Sequence, residues 1–207
     1  NMSGNYAVTA TLNSCVSTSL IFDLKVNPSP TLGIQQNQSY CTGTQVPQYI
    51  FNSTPPGATI SWTNSNPAIG LPANGNGNLP AFTAVNNTSN PTSANITVIP
   101  SLNGCIGLPM TYSITINPKP FVSVPPNFSI CAGTLVPASS FLSNISGTSF
   151  IWTNSNTSIG LPTSGIGNVP SFNAINNTSS IIQTEITVTP TLNGCPGPSS
   201  SYTITIK

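Results

Sequence analysis

A period of ninety residues constrains this chain more than any other feature. Residues 62–72 read WTNSNPAIGLP, and residues 152–162 read WTNSNTSIGLP. Cys41-Thr42-Gly43-Thr44 returns as Cys131-Ala132-Gly133-Thr134, and Leu102-Asn103-Gly104-Cys105 returns as Leu192-Asn193-Gly194-Cys195. The offset is 90 each time, with no gap, and about half of the aligned positions are identical. The start of the chain keeps the offset: Thr11-Leu12-Asn13-Ser14-Cys15 lies 90 before Ser101-Leu102-Asn103-Gly104-Cys105. Residues 31–120 and 121–207 therefore read as two full repeats, and residues 1–30 as the C-terminal part of a preceding one. A unit that begins in its final third has no core of its own, so the expectation is a window on a longer tandem array. About 90 residues is enough for one small core.

Within each repeat, apolar residues alternate with a period of two. Asn95-Ile96-Thr97-Val98-Ile99 and Glu185-Ile186-Thr187-Val188-Thr189 place Ile and Val on one face, and Tyr112-Ser113-Ile114-Thr115-Ile116 and Tyr202-Thr203-Ile204-Thr205-Ile206 do the same with Tyr and Ile. Thr59-Ile60-Ser61-Trp62 and Ser149-Phe150-Ile151-Trp152 read as a strand with an inward Trp. Helical spacing is missing, and the 21 prolines fall too often for a long helix. About seven short strands in such a unit predict an all-β fold of tandem antiparallel sandwiches. The Asn-Pro-x-Pro segments at 27–30 and 117–120 read as stiff extended connectors, which makes the array elongated.

Composition bears on function by exclusion. Charged residues are 2% of the chain: three Lys, Asp23, Glu185, and neither Arg nor His. Triad catalysis needs an imidazole, paired-carboxylate hydrolysis needs two acids at one site, and phosphate-backbone binding needs clustered cations. None of the five charges recurs at its repeat-equivalent position, so the repeat itself has no charge-based chemistry. The expectation is a chain that is no enzyme, takes no cofactor or metal, and binds no nucleic acid. No apolar run reaches the roughly 18 residues of a membrane helix, so no membrane insertion is expected.

Five cysteines fall into two classes under the offset, 15/105/195 and 41/131. Pairing within a repeat joins Cys41 to Cys105 and Cys131 to Cys195, leaving Cys15 to a partner upstream. Pairing across repeats joins Cys15 to Cys41 and Cys105 to Cys131, leaving Cys195 to a partner downstream. Placing Cys41, about ten residues past the linker, near the end where the chain arrives favours the first, because Cα atoms must come within about 7 Å. Buried free thiols are the alternative to either pairing; disulfides imply an oxidising, extracellular setting. Trp62 and Trp152 read as core residues rather than sugar-stacking platforms, because their neighbours alternate. The Gly-rich segments 70–78 and 160–168 read as tight turns, since they lack the Lys and helix of a phosphate loop.

The ordered string of Cys-x-Gly-Thr, Trp-Thr-Asn-Ser-Asn, Gly-Leu-Pro, Leu-Asn-Gly-Cys, Tyr-x-Ile-Thr-Ile and Asn-Pro-x-Pro resembles the PKD-like, immunoglobulin-fold repeats of giant surface proteins of the Bacteroidota. These include gliding-motility adhesins exported by the type 9 secretion system. The resemblance covers both repeats and the leading fragment. It departs from the wider PKD class where Thr-Asn-Ser-Asn replaces an acidic Gly-Asp-Gly-type turn. It implies a stalk segment of a secreted cell-surface adhesin, with neighbouring repeats as its partners and surface polysaccharide as a candidate ligand. Carbohydrate-binding repeats and spacers of a secreted multidomain enzyme are the alternatives.

Overall fold

A computed structural model of the protein describes residues 2–207. Two two-layered sandwiches follow one another as a tandem of immunoglobulin-like domains. Among the described residues, helix is limited to two single 3₁₀ turns, Pro67–Ile69 and Thr157–Ile159.

The larger layer of the first sandwich is a six-stranded sheet. Its long strand, Thr92–Leu102, lies between the Trp strand Thr59–Asn64 and the last strand Met110–Asn117, antiparallel to both. Alternation decides what faces in. Ile60, Trp62 and Asn64 are buried while the residues between them are exposed. The second layer consists of short pairs: Gln45–Val46 with Phe82–Thr83, and Thr31–Leu32 with Ser53–Thr54. Pro47, Pro55, Pro56 and Pro80 interrupt this layer, and a proline donates nothing to a ladder, so its strands stay short. Val46, Phe51, Leu79 and Phe82 close the core from that side. The second sandwich has the same plan around Ser149–Asn154, Ile182–Leu192 and Ser200–Ile206.

The shared Trp-Thr-Asn-Ser-Asn string is a folding motif. Asn64 is buried, and its Nδ2 donates to the carbonyls of Leu71 and Pro72 at 2.9 and 3.2 Å. Its Oδ1 accepts from the Asn66 backbone N–H at 3.0 Å, and Asn66 in turn caps the 3₁₀ turn at Ala68. Asn154 and Asn156 repeat this arrangement. Buried amides must be satisfied, so the motif ties the Gly-Leu-Pro segment to the Trp strand.

One pairing departs from the antiparallel expectation. Gln38–Cys41 lies on the edge of Met110–Asn117 and runs parallel to it, with Cys41 opposite Asn117. Phe128–Ile130 pairs in parallel with Ser200–Ile206 in the same way. Cys41 therefore stands at the downstream end of its repeat, where the last strand leaves.

Residues 2–26 form one hairpin, Met2–Val8 against Leu20–Val26. Under the offset it matches the hairpin of Thr92–Val98 and Met110–Ile116. Tyr6, Val8, Phe22, Leu24 and Val26 are 46–55% exposed, whereas their counterparts Ile96, Val98, Tyr112, Ile114 and Ile116 are 0–3% exposed.

Candidate functional site at the junction of the repeats

The junction is built from a turn, a linker and a strand end. The turn is Asn193-Gly194, whose φ values of 50° and 76° are both positive and which closes Leu192 onto Cys195. An Asn-Gly pair with this geometry is the favoured two-residue hairpin loop. It sets Cys195 at the upstream end of the second sandwich, where the linker 117–120 arrives. Gly197 lies against that linker so closely that an added Cβ would be 1.7 Å from the Pro120 carbonyl oxygen. Pro118 and Pro120 are buried, and the Phe121 N–H donates to Asn144 Oδ1 at 2.7 Å. The strand end is Cys41, next to Asn117; the following Thr42 N–H donates to the Asn117 carbonyl at 2.9 Å.

These elements bring Cys41 and Cys195 together. The two form a disulfide with Cα atoms 5.5 Å apart and a sequence separation of 154. This corrects the expected pairing. Cys41 does not bond Cys105, and Cys131 does not bond Cys195; Cys105 and Cys131 are thiols, as is Cys15. The physical reason is strand direction. The run from Pro30 to Cys41 can span up to about 35 Å at about 3.3 Å per residue. Its end, Gln38–Cys41, runs parallel to the last strand with Cys41 opposite Asn117, which places Cys41 at the far end of the sandwich from Cys105. The spacing leaves room for this crossing, but the strand direction that decides it is set by a pairing distant in sequence.

The first junction has the same architecture. Asn103 and Gly104 have φ values of 48° and 80°, and a Cβ on Gly107 would be 1.9 Å from the Pro30 carbonyl oxygen. Asn27 Nδ2 donates to the Asn103 carbonyl at 3.5 Å, and Ser29 Oγ donates to the Ile106 carbonyl at 3.0 Å. The Cys105 Sγ lies 3.7 Å from the Asn27 carbonyl oxygen.

Other sites singled out by sequence have structural roles. Trp62 and Trp152 are 3% and 2% exposed, and each ring lies across the glycine paired with it, Gly75 and Gly165, so neither offers a face to a sugar. Glu185 accepts from Ser201 Oγ at 2.6 Å on the surface, far in sequence from Asp23. Among the described residues no three His, Cys, Asp or Glu side chains gather as metal ligands. No described helix is long and apolar enough to cross a membrane. Burial, with Tyr49 and Tyr40 nearby, pushes the Tyr112 phenol up to about 12. Burial also raises Tyr202, against a hydrogen bond from its hydroxyl to Ser139 Oγ.

No protein-family model and no curated protein matches the chain. Solved structures of tandem extracellular domains do. The N-terminal Ig1-2 module of the Drosophila receptor protein tyrosine phosphatase DLAR is 14% identical, over 87% of this chain and 100% of that one, with a TM-score of 0.32. The protocadherin gamma B7 extracellular cadherin domains 1-4 are 14% identical over 99% of this chain and 57% of that one, at a TM-score of 0.42. The human mucin-like protocadherin EC1-2 is 7% identical over 86% and 97%, at a TM-score of 0.40.

Proposed function

We propose that this chain is a structural stalk segment of a large secreted cell-surface adhesin, of the kind that Bacteroidota use in surface attachment and gliding. The repeat units are 31–120 and 121–207, preceded by the end of another repeat in 1–30. One observation carries this reading: the disulfide bridges two successive sandwiches across their linker. A bond inside one domain would stabilise that domain; a bond between domains stiffens the joint and takes the chain between the two cysteines out of the loaded path. Disulfides persist in oxidising compartments, which supports an extracellular place. The repeat-wide lack of charge supports a role without catalysis. The carbohydrate-binding alternative loses its best aromatic candidates to the core.

Stretching single molecules from both termini tests the mechanical role. With the disulfide intact, the segment from Cys41 to Cys195 lies outside the loaded path. Reductant should then add roughly 500 Å of contour length, at about 3.3–3.6 Å per residue. Equal extension with and without reductant would contradict the proposal.

A further inference from the structure

We infer that Cys105 and Cys131 are the open halves of two further staples of the same kind, so that every junction in the array is closed by a disulfide between neighbouring repeats. The Cys41 class lies at the downstream end of a repeat and the Cys195 class at the upstream end of the next. Cys131 has the position of Cys41: Ala132 N–H donates to the Lys207 carbonyl at 3.0 Å, as Thr42 does to Asn117, and the Cys131 thiol is exposed. Cys105 has the position of Cys195, at an Asn-Gly turn beside a linker proline carbonyl.

The first junction shows what Cys105 is facing. Its sulfur lies 3.7 Å from Asn27 O, and Asn27 is the counterpart of Asn117, the residue opposite Cys41. The missing cysteine belongs on the edge of the strand Leu20–Val26. Two independent features of that hairpin point to a repeat completing it. Its inward face is exposed where both counterparts are buried. Asn27 Oδ1 is buried with no hydrogen-bond partner and its Nδ2 turns to the Asn103 carbonyl, whereas Asn117 Nδ2 donates to Ser39 Oγ of the parallel edge strand at 2.9 Å. The partner of Cys105 is thus the Cys41-class thiol of an upstream repeat, and the partner of Cys131 is the Cys195-class thiol of a downstream one.

Each closure removes two protons and two electrons from two thiols, and the acceptor is a disulfide oxidant, either a small-molecule disulfide or an oxidoreductase. One cysteine thiolate attacks the oxidant's disulfide and expels a thiolate. The second cysteine then displaces the remaining half, leaving the protein disulfide and a reduced dithiol. Staples spaced by one repeat overlap in sequence. Tension then runs only through segments such as Cys15 to Cys41, each a last strand, a linker and an edge strand, and the remaining strands of every sandwich are bypassed.

The test is to extend the chain after Lys207 with a further copy of residues 118–207 and to secrete it into an oxidising compartment. Ala132→Thr and Pro196→Ile in the added copy, the residues that follow Cys41 and Cys105, give its cysteine peptides their own masses. Peptic mapping without reduction should find Cys131 bonded to the added counterpart of Cys195, with Cys41–Cys195 retained in the same digest. Cys131→Ser should make that added cysteine fully alkylatable and leave Cys41–Cys195 intact. A free Cys131, a Cys131–Cys195 bond, or loss of Cys41–Cys195 in the extended chain would each overturn the inference.

Discussion

The two junctions of this molecule share a turn, a linker contact and a glycine, yet only the second is covalently closed. At both, a linker proline carbonyl presses on a glycine, Pro30 on Gly107 and Pro120 on Gly197. At both, an Asn-Gly loop holds a cysteine at the upstream end of a sandwich. What differs is the parallel edge strand, which flanks the last strand at the second junction, whereas among the described residues none flanks Leu20–Val26. Docking of the linker is therefore local to each repeat, while the staple needs a complete repeat on either side. The staple also changes burial: Cys195 is 1% exposed and Cys105 only partly buried.

Removing the staple should be the largest perturbation and should affect one junction alone. Closing a loop of 154 residues withdraws about 5 kcal/mol of unfolded-chain entropy in the chain-entropy model. Cys41→Ala with Cys195→Ala should therefore lower the denaturant midpoint of the two sandwiches. Cys105→Ala should change the unfolding free energy by no more than about 0.5 kcal/mol, because that thiol is unpaired and partly exposed. Equal losses at both sites would erase the distinction between the junctions.

That distinction was only half legible in the sequence. The period of ninety, the strand alternation and the inward Trp62 and Trp152 all follow from local spacing, since burial on a sheet face repeats every second residue. The Asn-Gly loops before Cys105 and Cys195 are legible for the same reason, because a two-residue turn is a local event. The partner of Cys41 is not local. It depends on whether Gln38–Cys41 runs parallel or antiparallel to a strand more than 70 residues away, and no short-range pattern records strand direction. The role of Asn64 also lay out of reach. A polar residue in a core position shows its purpose only when its carbonyl partners on Leu71 and Pro72 are in place.

Smaller than the loss of the staple, and opposite in its dependence on it, is the effect of filling the linker contact. Gly197→Ala and Gly107→Ala each place a Cβ within 2 Å of a carbonyl oxygen. Overpacking of this kind costs about 1–3 kcal/mol where the surroundings are held in place. At the second junction the disulfide prevents the sandwiches from swinging apart, so the full cost should appear in the unfolding midpoint. At the first, the hairpin 2–26 can move away, so the midpoint should change little and Cys105 should alkylate faster. Similar midpoint shifts for the two variants would mean that the first junction is as firmly held as the second.

The smallest expected effect is one that leaves the comparison untouched, and it locates pH sensitivity in the cores. Tyr112 is raised from 10.0 to about 12, chiefly by burial, and Tyr202 is raised for the same reason. A phenol with a higher folded value stays neutral in the sandwich at a pH where the unfolded chain has already ionised. Its stabilising contribution is complete below pH 10 and is lost as pH climbs from 10 towards about 12. With only five charged side chains in the chain, little else titrates between pH 5 and 9, so the melting temperature should be flat there. It should fall above pH 10, and Tyr112→Phe should remove the part of that fall due to the first sandwich. The measurement belongs on protein with its free thiols alkylated, so that disulfide exchange contributes nothing. The Cys41–Cys195 bond itself carries no titrating group, so the stabilisation due to it, read as the difference between wild type and the double alanine variant, should hold constant from pH 5 to 11. A staple effect that shrinks in parallel with tyrosine ionisation would show that the joint and the cores unfold as one unit rather than as a bonded hinge between two independent ones.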